Sequence, residues 1–303
     1  NVGLMHGCGH DGHTTILLAA AKYLAQTQDF NGQVVFIFQP AEEGLGGAQA
    51  MLADGLFERF QCDAVYALHN WPALPAGMVG INPGPMMAAS DRFEILVQGK
   101  GGHGAHPYQT IDPILVGAHI VTALQSIVSR SLNPHDSAVI SVGSLMAGNP
   151  NAMSVIPDQA RLVGTVRTFR GSVQKMIEER MQVMVQNVAS AFGATAELKY
   201  QKIYAPTINS PEHAQRVVQV ATELVGVQNV VSDLTPSMGS EDFSFMLQQR
   251  PGAYFRLGQG GAEQGRLLHN PHYDFNDAVI PLGAAVFARL VETEMPIEPN
   301  LND

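Results

Sequence analysis

Gln33-Val34-Val35-Phe36-Ile37-Phe38-Gln39-Pro40-Ala41-Glu42-Glu43-Gly44 decides the fold class. Its apolar half, bounded by Asn31-Gly32 and Pro40, reads as a parallel strand buried on both faces. Residues 14–26 before it are rich in Ala and Leu and predict a helix. A short helix is expected over residues 47–56 and a second buried strand over residues 63–68. Alternating strands and helices of this kind stack as α/β layers.

The pattern changes near Ser90. A half-exposed strand over residues 91–98 leads into the glycine-rich Gly99-Lys100-Gly101-Gly102-His103-Gly104. A helix over 112–131, strands over 138–145 and 159–169, and a helix presenting Val173, Ile177, Met181, Met184 and Val188 on one face follow. A strand over 195–201 completes a β-α-β-β-α-β order, the ferredoxin-like unit. Beyond it, Ser210-Pro211 supplies an N-cap and a proline at the first helical position. Ser240 is expected to cap a helix running to residue 247, a strand covers 253–257, and Asn276-Asp277 opens the last helix. The chain therefore reads as one α/β catalytic-type domain in two parts, 1–89 and 205–303. An α+β module, 90–204, interrupts it.

Composition narrows the function classes. Among 303 residues, 46% are hydrophobic and 15% charged, as in globular proteins, and the net charge is −10. The acidic balance and the lack of a basic stretch argue against nucleic acid as a partner. No apolar run reads as a membrane span, so no membrane partner is expected. Two cysteines, Cys8 and Cys62, imply no disulfide framework and fit a reducing, cytoplasmic compartment; no signal peptide is visible.

Four short elements carry chemistry. Met5-His6-Gly7-Cys8-Gly9-His10-Asp11-Gly12-His13-Thr14 sets imidazoles, a thiol and a carboxylate among glycines, where bulky packing cannot be their purpose. Read alone, it is as well a glycine-rich turn with a buried cysteine as a metal site. Glu42-Glu43 follows a strand-like run, where α/β sheets bind ligands. Adjacent carboxylates point apart, so one can hold a metal while its neighbour handles a proton, although an acidic helix start would look the same. His69 follows the second strand, and His269 precedes the last helix within Leu268-His269-Asn270-Pro271-His272-Tyr273-Asp274-Phe275. One histidine in such a place is usually structural. Together, Cys8, His10, Glu43, His69 and His269 make a set suited to two close divalent ions.

These strings, with Gly101-Gly102-His103-Gly104-Ala105-His106-Pro107 and Met238-Gly239-Ser240-Glu241-Asp242-Phe243-Ser244, occur in an order that resembles one family. It is that of the dinuclear amidohydrolases: hippurate hydrolase, auxin-conjugate hydrolases, aminoacylases and carboxypeptidase G. The resemblance spans essentially the whole chain. It implies a metallopeptidase-type catalytic domain of mixed sheet flanked by helices, and a ferredoxin-like lid and dimerisation domain at 90–204. It implies Cys8, His10, Glu43, His69 and His269 as metal ligands for two divalent ions (Mn, Zn, Ni or Co), and Glu42 as catalytic base. His103 would reach the reacting carbonyl oxygen from the lid, and Arg167 would hold the substrate carboxylate. Ser154 stands where relatives have a substrate-binding asparagine, and Gly7 where they have alanine. His13, His106, His119 and His135 keep a structural reading, as does His272.

The implied reaction is hydrolysis of an N-acyl amino acid to a carboxylic acid and an amino acid by a homodimeric enzyme. Relatives carry a long segment before the Cys8 motif, so the chain is expected to begin inside its catalytic domain. Two rival readings remain at this point: a thiol hydrolase acting through Cys8, and a non-catalytic binding protein or inactive fragment.

Overall fold

The computed structural model describes residues 7–297; Met5 and His6 of the opening cluster lie outside the described residues. Two compact units divide the chain. One holds the residues up to Met86, Thr207–Pro236 and those from Asp242 onward, and the other holds Met87–Pro206 with Ser237–Glu241.

The first unit is built on a mixed sheet. Val65–Trp71 runs parallel to Gly252–Gly258, which pairs antiparallel with Val79–Gly80, itself parallel to Val230–Val231. In this register His69 lies beside Arg256. Helices His10–Thr27, Pro211–Val225 and Ile280–Glu294 bury apolar stripes against it. Ile16, Val217, Val220, Phe255, Leu257, Val286 and Leu290 form the core. In the first helix the buried residues Gly12, Ile16, Ala20 and Leu24 recur every four positions, the spacing of one helical face. That helix begins at His10, earlier than the Ala- and Leu-rich stretch marks.

The run at residues 33–38 corrects an expectation. It forms no strand, Val34 to Ile37 are half-buried, and Phe38 is exposed. Apolar sequence specifies what a segment would bury. Strand identity needs a ladder partner for the backbone as well, and Val65–Trp71 pairs here only with Gly252–Gly258 among the described residues. Val34 and Phe36 instead line an open groove of about 440 Å³ with Leu24, Ala25 and Phe30.

The second unit is a four-stranded antiparallel sheet in the order Ala138–Ala147, Gln159–Thr168, Ala89–Gln98, Thr195–Tyr204. Helices Pro113–Ser126 and Gly171–Ala191 pack on it. Alternate residues Phe93, Ile95 and Val97 meet Val116, Ile120, Leu124, Ile177 and Met181 in one core. This is the β-α-β-β-α-β arrangement. Asp91 is fully buried and accepts hydrogen bonds from Gln174 Nε2 (2.8 and 2.9 Å) and Tyr200 Oη (2.6 Å).

Three local readings change. Pro113–Ser131, including a π-helical last turn, is a 19-residue helix long and apolar enough by length and composition to cross a membrane. Val116, Ile120, Leu124 and Ile127 of its buried face join the core, while Ile114 and Leu115 stay exposed. Ser240 caps no helix: the helix nearby is only Ser244–Leu247, and the Ser240 hydroxyl instead accepts from Arg167 Nη1 at 3.2 Å. Ser210 stands at the N-cap before Pro211, but its hydroxyl meets His213 Nδ1 at 2.9 Å in place of a backbone N–H. Asn276, by contrast, does cap, accepting from Ala278 N at 3.2 Å, but over a 3-10 turn, Asp277–Val279, that precedes the last helix at Ile280.

Candidate metal centre

Four segments of the first unit converge. Gly7–Gly9 forms a tight turn into the His10 helix, and this turn sets Cys8 and His10 side by side. Gly9, at φ +86°, has no room for a side chain, because a Cβ would collide with the Tyr273 hydroxyl. Gly47 likewise lies so close to the Pro40 carbonyl that only a glycine fits, which pins the turn bearing Glu42 and Glu43. His69 lies within the strand Val65–Trp71, two residues before its end and not after it as the sequence suggests, and His269 sits in the loop before the last helix.

The distances are those of donors around shared cations. His10 Nε2 lies 3.9 Å from Glu42 Oε2 and 4.0 Å from Glu43 Oε1, while Glu43 Oε2 lies 4.0 Å from His269 Nε2. Donor atoms of Cys8, Glu43 and His269 fall within 4.8 Å of one another, as do those of His10, Glu42 and Glu43. Glu43 belongs to both triads. His10, His13 and His69 form a third. His13 was given a structural reading from sequence. Its i, i+3 spacing from His10 on one helix face was the available signal.

Backbone strain gathers here too. Cys8 (φ 55°), Ala41 (φ 58°) and His269 (φ 58°) are three of the four non-glycine residues with positive φ among the described residues. Each such conformation costs on the order of 1–3 kcal/mol and persists where the surroundings impose it.

The electrostatics favour a cation. Burial, then the Glu43 and Asp242 charges, push the Glu42 carboxyl up to about 7. Asp242 is held by Gln39 Nε2 (2.7 Å) and Ala48 N (2.9 Å). Burial, then the Glu43 charge, pushes the Cys8 thiol up to about 12. A thiol so placed is a poor unassisted nucleophile, and a cation would reverse the effect. Burial lowers His10 and brings His13 down to about 3. His69 is lowered well below the usual imidazole range, by burial and then by His13, so neutral imidazoles with lone pairs prevail. His69 Nδ1 donates to the Asn70 carbonyl at 2.7 Å, which leaves Nε2 as its lone-pair nitrogen. Borderline nitrogen, thiolate and carboxylate donors in this number fit divalent transition ions.

The other expected site residues belong to the second unit. His103 is exposed on the short strand Gly102–His103, paired with Val155–Ile156. Its Nδ1 accepts from Ala105 N at 3.0 Å, so the neutral ring presents Nε2–H as a donor. Ser154 adjoins it, its carbonyl accepting from Gly104 N at 2.7 Å. Arg167 is half-buried near the end of its strand, bonded to Ser240; burial lowers its pKa, opposed by the Asp91 charge. Arg256 of the first unit, which sequence reading passed over, is buried with its guanidinium 3.7 Å over the Trp71 ring.

The model of peptidase family M20/M25/M40 matches residues 1–293. The chain belongs to that family. Within it, the amidohydrolase YhaA of Bacillus subtilis is 43% identical over 290 residues, covering 94% of this chain and 72% of that protein. Hippurate hydrolase of Campylobacter jejuni is 42% identical over 287 residues, covering 95% and 73%. The solved YxeP protein of B. subtilis, described as a dinuclear metal-binding peptidase of the M20 family, superposes with a TM-score of 0.82 at 32% identity. It covers 96% of this chain and 74% of its own. As an M20 member the protein is an amide-bond hydrolase, which displaces the non-catalytic reading.

Proposed function

We propose that the protein hydrolyses N-acyl amino acids, hippurate among them, using two divalent ions held by Cys8, His10, Glu43, His69 and His269. The observation that carries this reading is Glu43, whose two oxygens each face a different donor group, beside a Glu42 carboxyl raised to about 7. When bound, the ions supply positive charge that acidifies water and polarises a carbonyl.

The chain's residues do the rest. Glu42, with a proton affinity near neutrality, takes a proton from the attacking water and delivers it to the leaving amine. His103 donates its Nε2–H to the carbonyl oxygen as negative charge develops there. Arg167, a permanent cation, pairs with the amino-acid carboxylate and aligns the scissile amide. Ser154 lies beside His103 through Gly104, and it offers a shorter hydroxyl where relatives carry asparagine. We read residues 90–204 as the lid. Its edge strand Ala138–Ala147, with exposed Leu145 and Met146, and the exposed Ile114 and Leu115 support dimerisation through that unit. A cytoplasmic location fits Cys8 and Cys62, which form no disulfide with each other.

The test is a panel of acyl-glycine and acyl-amino-acid substrates, with Mn, Zn, Ni and Co each restored to chelated protein. Ion-dependent release of free amino acid is expected. Turnover that persists after complete chelation would favour the Cys8 thiol reading, which the buried, raised thiol opposes.

A further inference from the structure

Three segments that carry candidate ligands are joined a second time, through residues outside the proposed ligand set. Asn70, next to His69, is fully buried and donates through Nδ2 to Gln259 Oε1 (2.8 Å) and to the Tyr273 oxygen (2.7 Å). Tyr273 lies four residues past His269 and donates to Gln259 Oε1 at 3.2 Å. His13 lies one turn past His10, with Nε2 2.6 Å from Asn70 Oδ1 and 3.0 Å from Asn70 N. Either neutral tautomer therefore ties His13 to Asn70, as donor to the side chain or acceptor from the backbone. Gln259, at the end of the central strand, is anchored in turn: its N donates to Trp71 O (3.3 Å), and its carbonyl accepts from Asn276 Nδ2 (2.9 Å).

The network thus repeats the ligand set at offsets of three, one and four residues: His10 to His13, His69 to Asn70, His269 to Tyr273. It also meets the Cys8 turn, because the Tyr273 hydroxyl presses on Gly9. A buried network whose members are mutually satisfied is stiff and specifies one arrangement. We propose that His13, Asn70, Gln259 and Tyr273 form a frame that sets the spacing of the metal ligands before any ion arrives. They are positioning residues, not ligands. The inference rests on the ligand assignment proposed above.

Tyr273→Phe removes one hydroxyl and keeps the ring. Gln259→Met removes the shared acceptor, and Gln259→Glu returns one. Each is titrated with Co²⁺ against a chromophoric chelator, with visible absorption spectra of the loaded forms and circular dichroism to verify folding. Tyr273→Phe and Gln259→Met are expected to bind two ions with affinity lowered on the order of 10- to 100-fold and with shifted cobalt bands. Gln259→Glu should move both readouts back toward the parent. Parent-like affinity and spectrum in folded Tyr273→Phe overturn the frame. So does outright loss of one ion in Tyr273→Phe, since the hydroxyl would then be a ligand. If Gln259→Met does not fold, Tyr273→Phe decides alone. Failure of the ligand assignment looks different: His69→Ala would retain two ions at parent affinity.

Discussion

Glu43 Oε2 and His269 Nε2 stand 4.0 Å apart, too far for a hydrogen bond and spaced as two ligands of one ion are. The same carboxylate turns its other oxygen to His10 Nε2 at the same distance. Glu43→Gln keeps the shape and removes the charge. It should weaken binding of both ions, where Cys8→Ser weakens that of one. Metal content after dialysis at stepped chelator concentrations distinguishes them, and equal behaviour of the two variants would contradict a shared ligand.

Glu42→Gln should retain both ions and lose at least about 10²-fold in kcat, the usual contribution of a general base. Hydrolysis rate and metal analysis on the same preparation check it. Undiminished turnover assigns the base elsewhere.

In the proposed reaction His103, whose Nδ1 accepts from Ala105 N, has one donor, Nε2–H, for the oxygen on which charge develops. His103→Ala should lower kcat by about 10²- to 10³-fold with little change in KM, as loss of one oxyanion donor does. A rise in KM at constant kcat would make it a ground-state contact instead.

Arg167→Gln should raise KM for acyl amino acids but not for their carboxamide or ester counterparts, which lack the charge that it pairs with. A similar loss on all three would make Arg167 structural, through Ser240.

The contribution of Glu42 to the stability of the metal-free protein should fall as pH rises, opposite in sign to that of the histidines lowered by burial. Folding raises the Glu42 carboxyl from 4.5 to about 7. The folded state therefore binds the extra proton on Glu42 between those values, and this group's contribution falls with pH across that window. Below about 4.5 this contribution no longer changes with pH. Added divalent ion should accordingly raise Tm more at pH 8 than at pH 5. Thermal melts with and without Zn²⁺ measure this, and equal shifts at both pH values would count against it.

Elements with clear periodicity were legible beforehand: the Gly171–Ala191 helix announces itself through Val173, Ile177 and Met181. The candidate donors were legible because Cys8, Glu42-Glu43, His69 and His269 sit in glycine- or turn-rich strings where packing cannot explain them. The run Val34 to Phe38 misled, since periodicity reports on burial and says nothing of ladder partners. Ser240 misled for a related reason: a hydroxyl before an apolar run has several possible partners, and a guanidinium far along the chain took it. His13 and Asn70 were illegible as a pair because their contact joins residues 57 apart in sequence.

The left-handed backbones of Cys8 and His269 place two demands on each position that no residue meets together. Conformation favours glycine or asparagine, and chemistry needs sulfur or imidazole. Drift in a lineage that no longer required hydrolysis would therefore run downhill, replacing a strained donor with a relaxed non-donor and leaving the fold the firmer for it. Glycine or asparagine at these two positions in another chain of this architecture is thus a mark of lost catalysis. Such a chain would be sought among stable proteins and not among failing ones.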